Sequence, residues 1–219
     1  NKEEVGEASS QAVVIINDFS VLAGTQGFFH HKKLDRMCEL AEKSKLPVVM
    51  YAEGGGGRPA DTDVSTQIAG LNITSFTSWA KLTGHSLKIA VNNGYCFAGN
   101  AALYGAADFC ISTKNSWIGM AGPAMIEGGG LGIFDPKDIG PAEMHYKNGY
   151  LDFLAEDEAE ATAVTKKLLS YFQGAKKDWE EKDQTPLRTL IPEDRRKGFP
   201  VRDVLNTISD ENSFLETKK

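Results

Sequence analysis

The chain has 219 residues, 41% of them hydrophobic and 25% charged, which is the balance of one main globular domain with a sizeable core. Its net charge of -6, with no Lys/Arg-rich block longer than "HHKK" or "DRRK", argues against nucleic acid and leaves small molecules or proteins as partners. Apolar runs such as "AVVII" (Ala12 to Ile16) are far short of a bilayer span, and no charged start followed by an apolar core marks a secretion signal, so no membrane partner and a cytoplasmic location are expected.

In chain order, the opening "NKEEVGEASS" lacks a methionine, and a piece of a longer polypeptide is expected. Short β-branched runs predict strands at "AVVIIND" (Ala12 to Asp18), "PVVMYAE" (Pro47 to Glu53), "LKIAVNN" (Leu87 to Asn93), "DFCIST" (Asp108 to Thr113) and "SWIGMA" (Ser116 to Ala121). Helical stripes lie between them. Leu34, Met37, Cys38 and Ala41 repeat at i, i+3, i+4, i+7, and Ile68, Leu71, Trp79 and Leu82 keep a similar stripe through Val64 to Thr83. A shorter helix is expected from about Gly99 to Ala107. This alternation predicts an α/β fold with a largely parallel, helix-covered sheet. A further helix over Glu156 to Phe172 would bury Ala161, Val164, Leu168 and Tyr171, with "EDEAE" at its start and Gly174 after its last turn. The charged, proline-punctuated "AKKDWEEKDQTPLRTLIPEDRRKGFP" reads as an extended linker, followed by a last helix, "VRDVLNTIS", with Val201, Leu205 and Ile208 on one side.

Cys38, Cys96 and Cys110 are scattered with no CxxC, and His30, His31, His85 and His145 have no HExxH spacing. Buried free thiols in a reducing compartment and no metal are the expectation. The informative feature is glycine, clustered at "EGGGGRP" (Glu53 to Pro59), "NGYCFAGNAA" (Asn93 to Ala102) and "AGPAMIEGGGLG" (Ala121 to Gly132). In a parallel α/β sheet ligands bind beyond the carboxyl ends of strands, where helix N-termini carry free N–H groups, and glycine lets that backbone come close. Neither GxxxxGK[ST] nor GxGxxG after the first strand is present, so phosphate loops of those kinds are set aside. The alternatives are tight turns, or an oxyanion hole made by one N–H from the loop after Glu53 and one from the helix start near Gly99. Removing one such donor typically costs about 3 kcal/mol of barrier.

"NGYCFAGNAALYGAADFCISTKNSWIGMAGPAMIEGGGLG" and "DIGPAEMHYKNGYLDFLAEDEAEA" resemble the N-terminal half of the carboxyltransferase component of biotin-dependent acyl-CoA carboxylases, a branch of the crotonase superfamily. The resemblance runs from "VVIINDFSVLAGTQG" to "LIPEDRRKGFPVRDVLNTISDENSFLE". It implies a crotonase-like ββα spiral over residues 1–175, with 176–219 forming a linker and the start of a C-terminal half. It also implies an acyl-CoA substrate, carboxybiotin on a biotin carboxyl carrier protein or domain, a biotin carboxylase, the C-terminal carboxyltransferase half, and a homo-oligomer whose sites lie where halves of two subunits meet.

By position, the glycine pair of the family's G-P-C-A-G-G-A motif falls on Ala98 and Gly99. Alanine at 98 departs from the family but keeps a backbone N–H, so Ala98 and Gly99 are the implied oxyanion donors. The family's S-G-G-A-R loop falls on Gly54 to Arg58, with Gly57 in place of alanine. This makes Gly55, Gly56, Gly57 and Arg58 substrate-binding candidates, Arg58 either pairing with a loop carboxylate or lying near the CoA phosphates. Gly122 and Pro123 join them. The two glutamates of crotonase-type hydratases fall on Ala102 and Gly122, so acid and base are both missing for hydration.

Carboxyl transfer asks less of side chains. In the mechanism the family implies, carboxybiotin releases CO2, the biotin anion takes the α-proton of the thioester, and the enolate, held by backbone N–H groups, attacks CO2. The expected activity is of the acetyl-CoA or propionyl-CoA carboxylase type. Two rivals stand beside it. A crotonase-type hydrolase, isomerase or decarboxylase would need a working carboxylate such as Glu53 or Glu127, and a non-catalytic fragment would only bind CoA esters. Cys96 is read as packing rather than a nucleophile, and Asp108 as a turn residue.

Overall fold

The computed structural model describes residues 2–58, 73–174 and 182–218. They fall into two compact units, one over 2–174 together with Lys218 and one over 182–217. The first unit contains, in order, α1 (Lys2–Val5), β1 (Val13–Ile16), α2 (Phe28–Ser44), β2 (Val48–Tyr51), α3 (Ser75–Lys81), β3 (Lys88–Asn92) and β4 (Tyr95–Phe97). It continues with α4 (Gly99–Gly105), β5 (Phe109–Thr113), β6 (Trp117–Gly119), α5 (Pro123–Gly128), α6 (Ala142–Lys147), β7 (Phe153–Ala155) and α7 (Glu158–Ser170).

Five strands form one fully parallel sheet in the order β1-β2-β3-β5-β7, with Val13 opposite Val48, Val48 opposite Lys88, and Ile89 opposite Phe109. The central strand β3 is buried at all five residues, the signature of a parallel strand covered on both faces. One of the five is Lys88. Its ammonium is satisfied by Thr83 Oγ1 at 2.8 Å and the Ala106 carbonyl at 2.7 Å, so it closes the C-terminal end of α4. Helix α2 buries Leu34, Cys38 and Ala41 as its spacing requires, and α3 buries Trp79, whose indole N–H donates to the Leu103 carbonyl at 2.9 Å.

A second, smaller layer grows from the ends of these strands. β4 pairs in parallel with β6, and the loop after β2 joins them, since Gly54 N–H donates to the Tyr95 carbonyl and Phe97 N–H donates to the Gly54 carbonyl, both at 2.8 Å. The chain thus repeats strand, strand, helix: β3–β4–α4, then β5–β6–α5. It is a crotonase-like ββα spiral.

Several elements depart from the periodicity. "SWIGMA" yields β6, which belongs to the small sheet, while the fifth place in the main sheet goes to β7, three residues with no β-branched side chain. β4, α5 and α6 are too short for a periodic signal. Helix α7 buries Ala161, Thr165 and Leu168 rather than Ala161, Val164, Leu168 and Tyr171. Thr165 can take the inner place because its hydroxyl donates to the Ala161 carbonyl at 2.8 Å. Of the expected helix Val64 to Thr83, the portion carrying Ile68 and Leu71 lies outside the described residues.

In the second unit, α8 (Leu187–Leu190) and α9 (Val201–Ile208) contain no buried residue, and Arg202 pairs two-pronged with Glu216 at 2.9 and 2.8 Å. Val201 and Ile208, expected on an apolar side of α9, are exposed within this unit.

Trp79 is fully buried and carries both a packing and a hydrogen-bonding role. Trp79→Ala is expected to cost about 3–5 kcal/mol, measurable as a fall in the denaturant midpoint.

Candidate functional site

The site begins where β2 ends. Residues Ala52 to Arg58 leave the sheet as an irregular, glycine-rich loop, and one side chain ties that loop to the start of α4. Asn100 is fully buried. Its Oδ1 accepts the Gly56 N–H at 3.0 Å, and its Nδ2 donates to the carbonyls of Glu53 at 3.1 Å, Ala52 at 3.2 Å and Gly24 at 3.4 Å. Every polar atom of the carboxamide is used, so it fixes loop and helix relative to each other.

The close approach explains the glycines. At Gly54, φ is +155°, and a Cβ would fall on Asn100 Nδ2 and the Gly24 carbonyl. At Gly56, φ is +89°, and a Cβ would sit 2.5 Å from Ala98 Cβ and 3.2 Å from the Gly99 nitrogen. The backbone of the loop therefore lies directly on the helix start.

The donors are distributed more narrowly than the motif implied. Ala98, with φ +50° and ψ -120°, sits in a region that side chains rarely adopt, and its N–H donates to the Gly119 carbonyl at 2.9 Å. That hydrogen bond removes Ala98 from the expected donor pair in this conformation. Gly55 N–H is likewise taken by the Ala23 carbonyl at 3.1 Å, and Gly56 N–H by Asn100. Among the described residues, the N–H groups of Gly57 and Gly99 have no acceptor; Gly57 is exposed, and Gly99 is the first residue of α4.

Arg58 ties the end of the loop to the turn before α2: its Nη1 donates to the Thr25 carbonyl at 2.7 Å and its N–H to the Gln26 carbonyl at 3.0 Å. Gly122 caps α5 with Pro123 at the helix's first position, and the Phe97 ring lies 3.6 Å from where a Gly122 Cβ would be. Ala102, half-buried on α4, donates its N–H to the Ala98 carbonyl at 2.9 Å.

Two of the nearby carboxylates, Glu53 and Asp108, are occupied elsewhere. Glu53 accepts the Asn93 N–H, and burial raises its pKa. Asn93 in turn donates through Nδ2 to Glu158 at 3.0 Å, so this chain of contacts closes the ends of β2 and β3 against α7. Glu127 is exposed on α5. Asp108 accepts the Lys88 N–H at 2.8 Å and returns its own N–H to the Lys88 carbonyl at 2.9 Å, a turn-locking pair. The Cys96 thiol donates to the Ala52 carbonyl at 3.3 Å, and burial pushes its pKa well above the ordinary thiol value, the opposite of what a nucleophile needs. No group of three metal-ligating side chains occurs among the described residues, and no described helix is long and apolar enough to cross a membrane.

Beside the loop, His30 donates its Nε2–H to Asn17 Oδ1, 3.1 Å away. Burial, helped by the neighbouring His31 and Arg58, pulls its pKa down to about 4. The site is thus kept free of imidazolium at neutral pH.

The glycine clusters point to the right loop and helix, but nothing in the motifs singles out Asn100. A signal was present: it is the one side-chain amide in "AGNAALYGAA", a stretch otherwise of small and apolar residues with Tyr104.

A family model described as "Carboxyl transferase domain" matches residues 5–219. The "Probable biotin-dependent acyl-coenzyme A carboxylase beta2 subunit" of Mycobacterium tuberculosis is 26% identical over 223 residues, covering 95% of this chain and 41% of that protein. A solved single-chain, multi-domain long-chain acyl-CoA carboxylase superposes with a TM-score of 0.90 at 45% identity, over 100% of this chain and 21% of the other. The transcarboxylase 12S structure, a hexamer with hydrolysed methylmalonyl-CoA bound, gives a TM-score of 0.75 at 28% identity, over 92% of this chain and 41% of the other. The chain spans about two-fifths of the length of the curated relatives it matches.

Two outcomes are expected at this site. Asn100→Ala leaves the Gly56 N–H and the Gly24 and Glu53 carbonyls without their partner, and the Ala52 carbonyl with only the Cys96 thiol, and is expected to cost about 3 kcal/mol; Asn100→Asp, which sets a carboxylate against three carbonyls, should melt lower still at pH 7. For His30 the folded pKa lies below the ordinary value of 6.5, so on acidification the unfolded chain takes up the proton first. Stability from this group is complete above pH 6.5 and is lost as pH falls toward about 4, by on the order of 3 kcal/mol. Comparing pH-dependent unfolding of the wild type with His30→Phe isolates that slope, which the variant should lack.

Proposed function

The chain belongs to the carboxyl transferase domain family, and from that membership we propose that it forms the acyl-CoA half of a carboxyltransferase site, of the acetyl-CoA or propionyl-CoA carboxylase type. The observation that carries this reading is the glycine loop held by Asn100 against the start of α4, with Gly57 and Gly99 N–H groups open and no carboxylate at Ala102 or Gly122. Such a donor set suits an oxygen that becomes negative, as the thioester oxygen does when the α-carbon loses its proton. Gly99, at the positive end of a helix, is the oxyanion donor in this proposal, with Gly57 supplying the second N–H. Ala98 contributes by the turn that aims Gly99. Gly55 and Gly56 line the acyl pocket, Arg58 braces the loop, and Gly122 and Pro123 form the wall beyond Phe97.

Carboxybiotin, delivered as a substrate on a carrier protein or domain, supplies the carboxyl group. This chain's own contribution is to bind the acyl-CoA, orient its carbonyl over the open N–H groups and stabilise the enolate by backbone alone. A biotin carboxylase, the C-terminal carboxyltransferase half and further copies of the chain complete the proposed assembly. The biotin-dependent name of one relative and the hexamer of another support this reading. The three cysteines, all buried free thiols, support placing it in the cytoplasm. For the rival crotonase chemistries, the commitment of Glu53 to the Asn93 N–H and the exposure of Glu127 are unfavourable.

The test pairs the 219-residue chain with the full-length gene product. The chain is expected to bind CoA or acetyl-CoA in calorimetry without transferring carboxylate, while the full-length protein carries labelled carboxylate from carboxybiotin into acetyl-CoA or propionyl-CoA. Turnover by the short chain alone would overturn the half-site reading, and inactivity of the full-length protein on every acyl-CoA would overturn the reaction.

A further inference from the structure

Gln26 stands in the turn between β1 and α2, and its backbone is fully engaged: its N–H donates to the Gly56 carbonyl at 2.7 Å, and its carbonyl accepts the Arg58 N–H at 3.0 Å. Any residue type except proline could make those two bonds. The side chain is another matter. Gln26 is 1% exposed, and its carboxamide Nε2 is buried without a hydrogen-bond partner. Leaving a buried donor unmade costs about 1–3 kcal/mol, so natural structures do so rarely.

The position of that carboxamide is specific. Oε1 lies 2.6 Å and Cδ 3.2 Å from the point where a Cβ on Gly99 would be, with Phe76 Cζ closing the same side at 3.3 Å. The two hetero atoms of a carboxamide are about 2.2 Å apart, which puts Nε2 within about 5 Å of that point. The carboxamide that carries the unsatisfied donor is therefore a neighbour of the very residue whose N–H opens the helix.

We propose that Gln26 is a substrate-contacting residue, its Nε2 donating a hydrogen bond to the thioester oxygen of the bound acyl-CoA as that oxygen becomes an enolate. The assignment rests on the proposed function and deepens it by adding a side-chain donor to the backbone ones. A carboxamide suits the task chemically. It is neutral and is not an acid in the accessible pH range, so it stabilises the enolate oxygen without protonating it and leaves the carbon nucleophilic. The acyl oxygen supplies the acceptor that the protein lacks, and the cost of the orphaned N–H in the free protein becomes binding that strengthens as negative charge develops.

The experiment uses the full-length enzyme with Gln26→Met, which keeps length but removes the donor, and Gln26→Glu, which keeps shape and replaces the donor by an acceptor. Both are expected to lower kcat about 100-fold with KM for the acyl-CoA little changed. The melting temperature of Gln26→Met should hold or rise, since an unpaired buried polar group has been removed. A residue that only props the loop would show the reverse, a lower melting temperature with any activity loss following it, and that result overturns the proposal. Isotope-edited infrared spectra of bound [13C=O]acetyl-CoA add a readout independent of turnover: the carbonyl stretch should move to higher frequency in Gln26→Met. An unmoved stretch together with undiminished kcat overturns the Gln26 assignment while leaving the carboxyltransferase reading intact. Absence of transfer in the wild type overturns that reading, and with it the role of Gln26 toward an enolate.

Discussion

The buried carboxamide of Asn100, at the start of α4, holds two stretches that are far from it and from each other in the chain: the turn at Gly24 and the loop from Ala52 to Gly56. Hydrogen bonds made in such a dry setting are stronger than on the surface, and the loss of a partner there is correspondingly costly. The rest of the site follows from this clamp. With Asn100 in place the glycine loop cannot drift from α4, the Gly56 carbonyl is presented to Gln26, and Gln26 is in turn presented to Gly99. Without it, the loop would keep its bonds to β4 and to the turn before α2 but lose its direct tie to the start of α4.

The clamp also sets which residues can be present. Gly54 and Gly56 are needed because the loop runs within contact distance of Asn100, Gly24 and Ala98, and because both take positive φ. Ala98 holds its position at a cost in backbone strain, and the Gly119 carbonyl that receives its N–H offsets part of that strain. The same bond leaves Gly99, rather than Ala98, as the open donor of the turn. Small residues are thus concentrated at this point by geometry, and the geometry is that of backbone meeting backbone.

The ionisable groups around the loop are committed to other partners or held neutral. Glu53 is turned to Asn93, the Arg58 guanidinium reaches the Thr25 carbonyl, and burial keeps His30 neutral at physiological pH. A site in which oxygen is to become negative gains from fixed, neutral donors that need no rearrangement as the charge forms. It would gain nothing from an acid able to quench an enolate.

Much of this was legible in the residues. The β-branched runs located β1, β2, β3 and β5, the Leu34–Cys38–Ala41 stripe located the buried face of α2, and the glycine clusters located the loop and the helix start. Family resemblance added the spiral and the absence of hydratase glutamates. These features are local or periodic, so they leave a trace in the order of residues. The short elements β4, α5, α6 and β7 left none, because three to six residues cannot show a period and their place depends on pairing with distant strands. Which N–H groups stay open was equally hidden: Ala98 is closed by Gly119, Gly55 by Ala23, Gly56 by Asn100, all partners set by long-range packing. The residue types at this site were written along the chain, whereas the division of its backbone amides into those already bonded and those left for a ligand came from folding, since a hydrogen bond exists only where two distant segments are brought within about 3.5 Å.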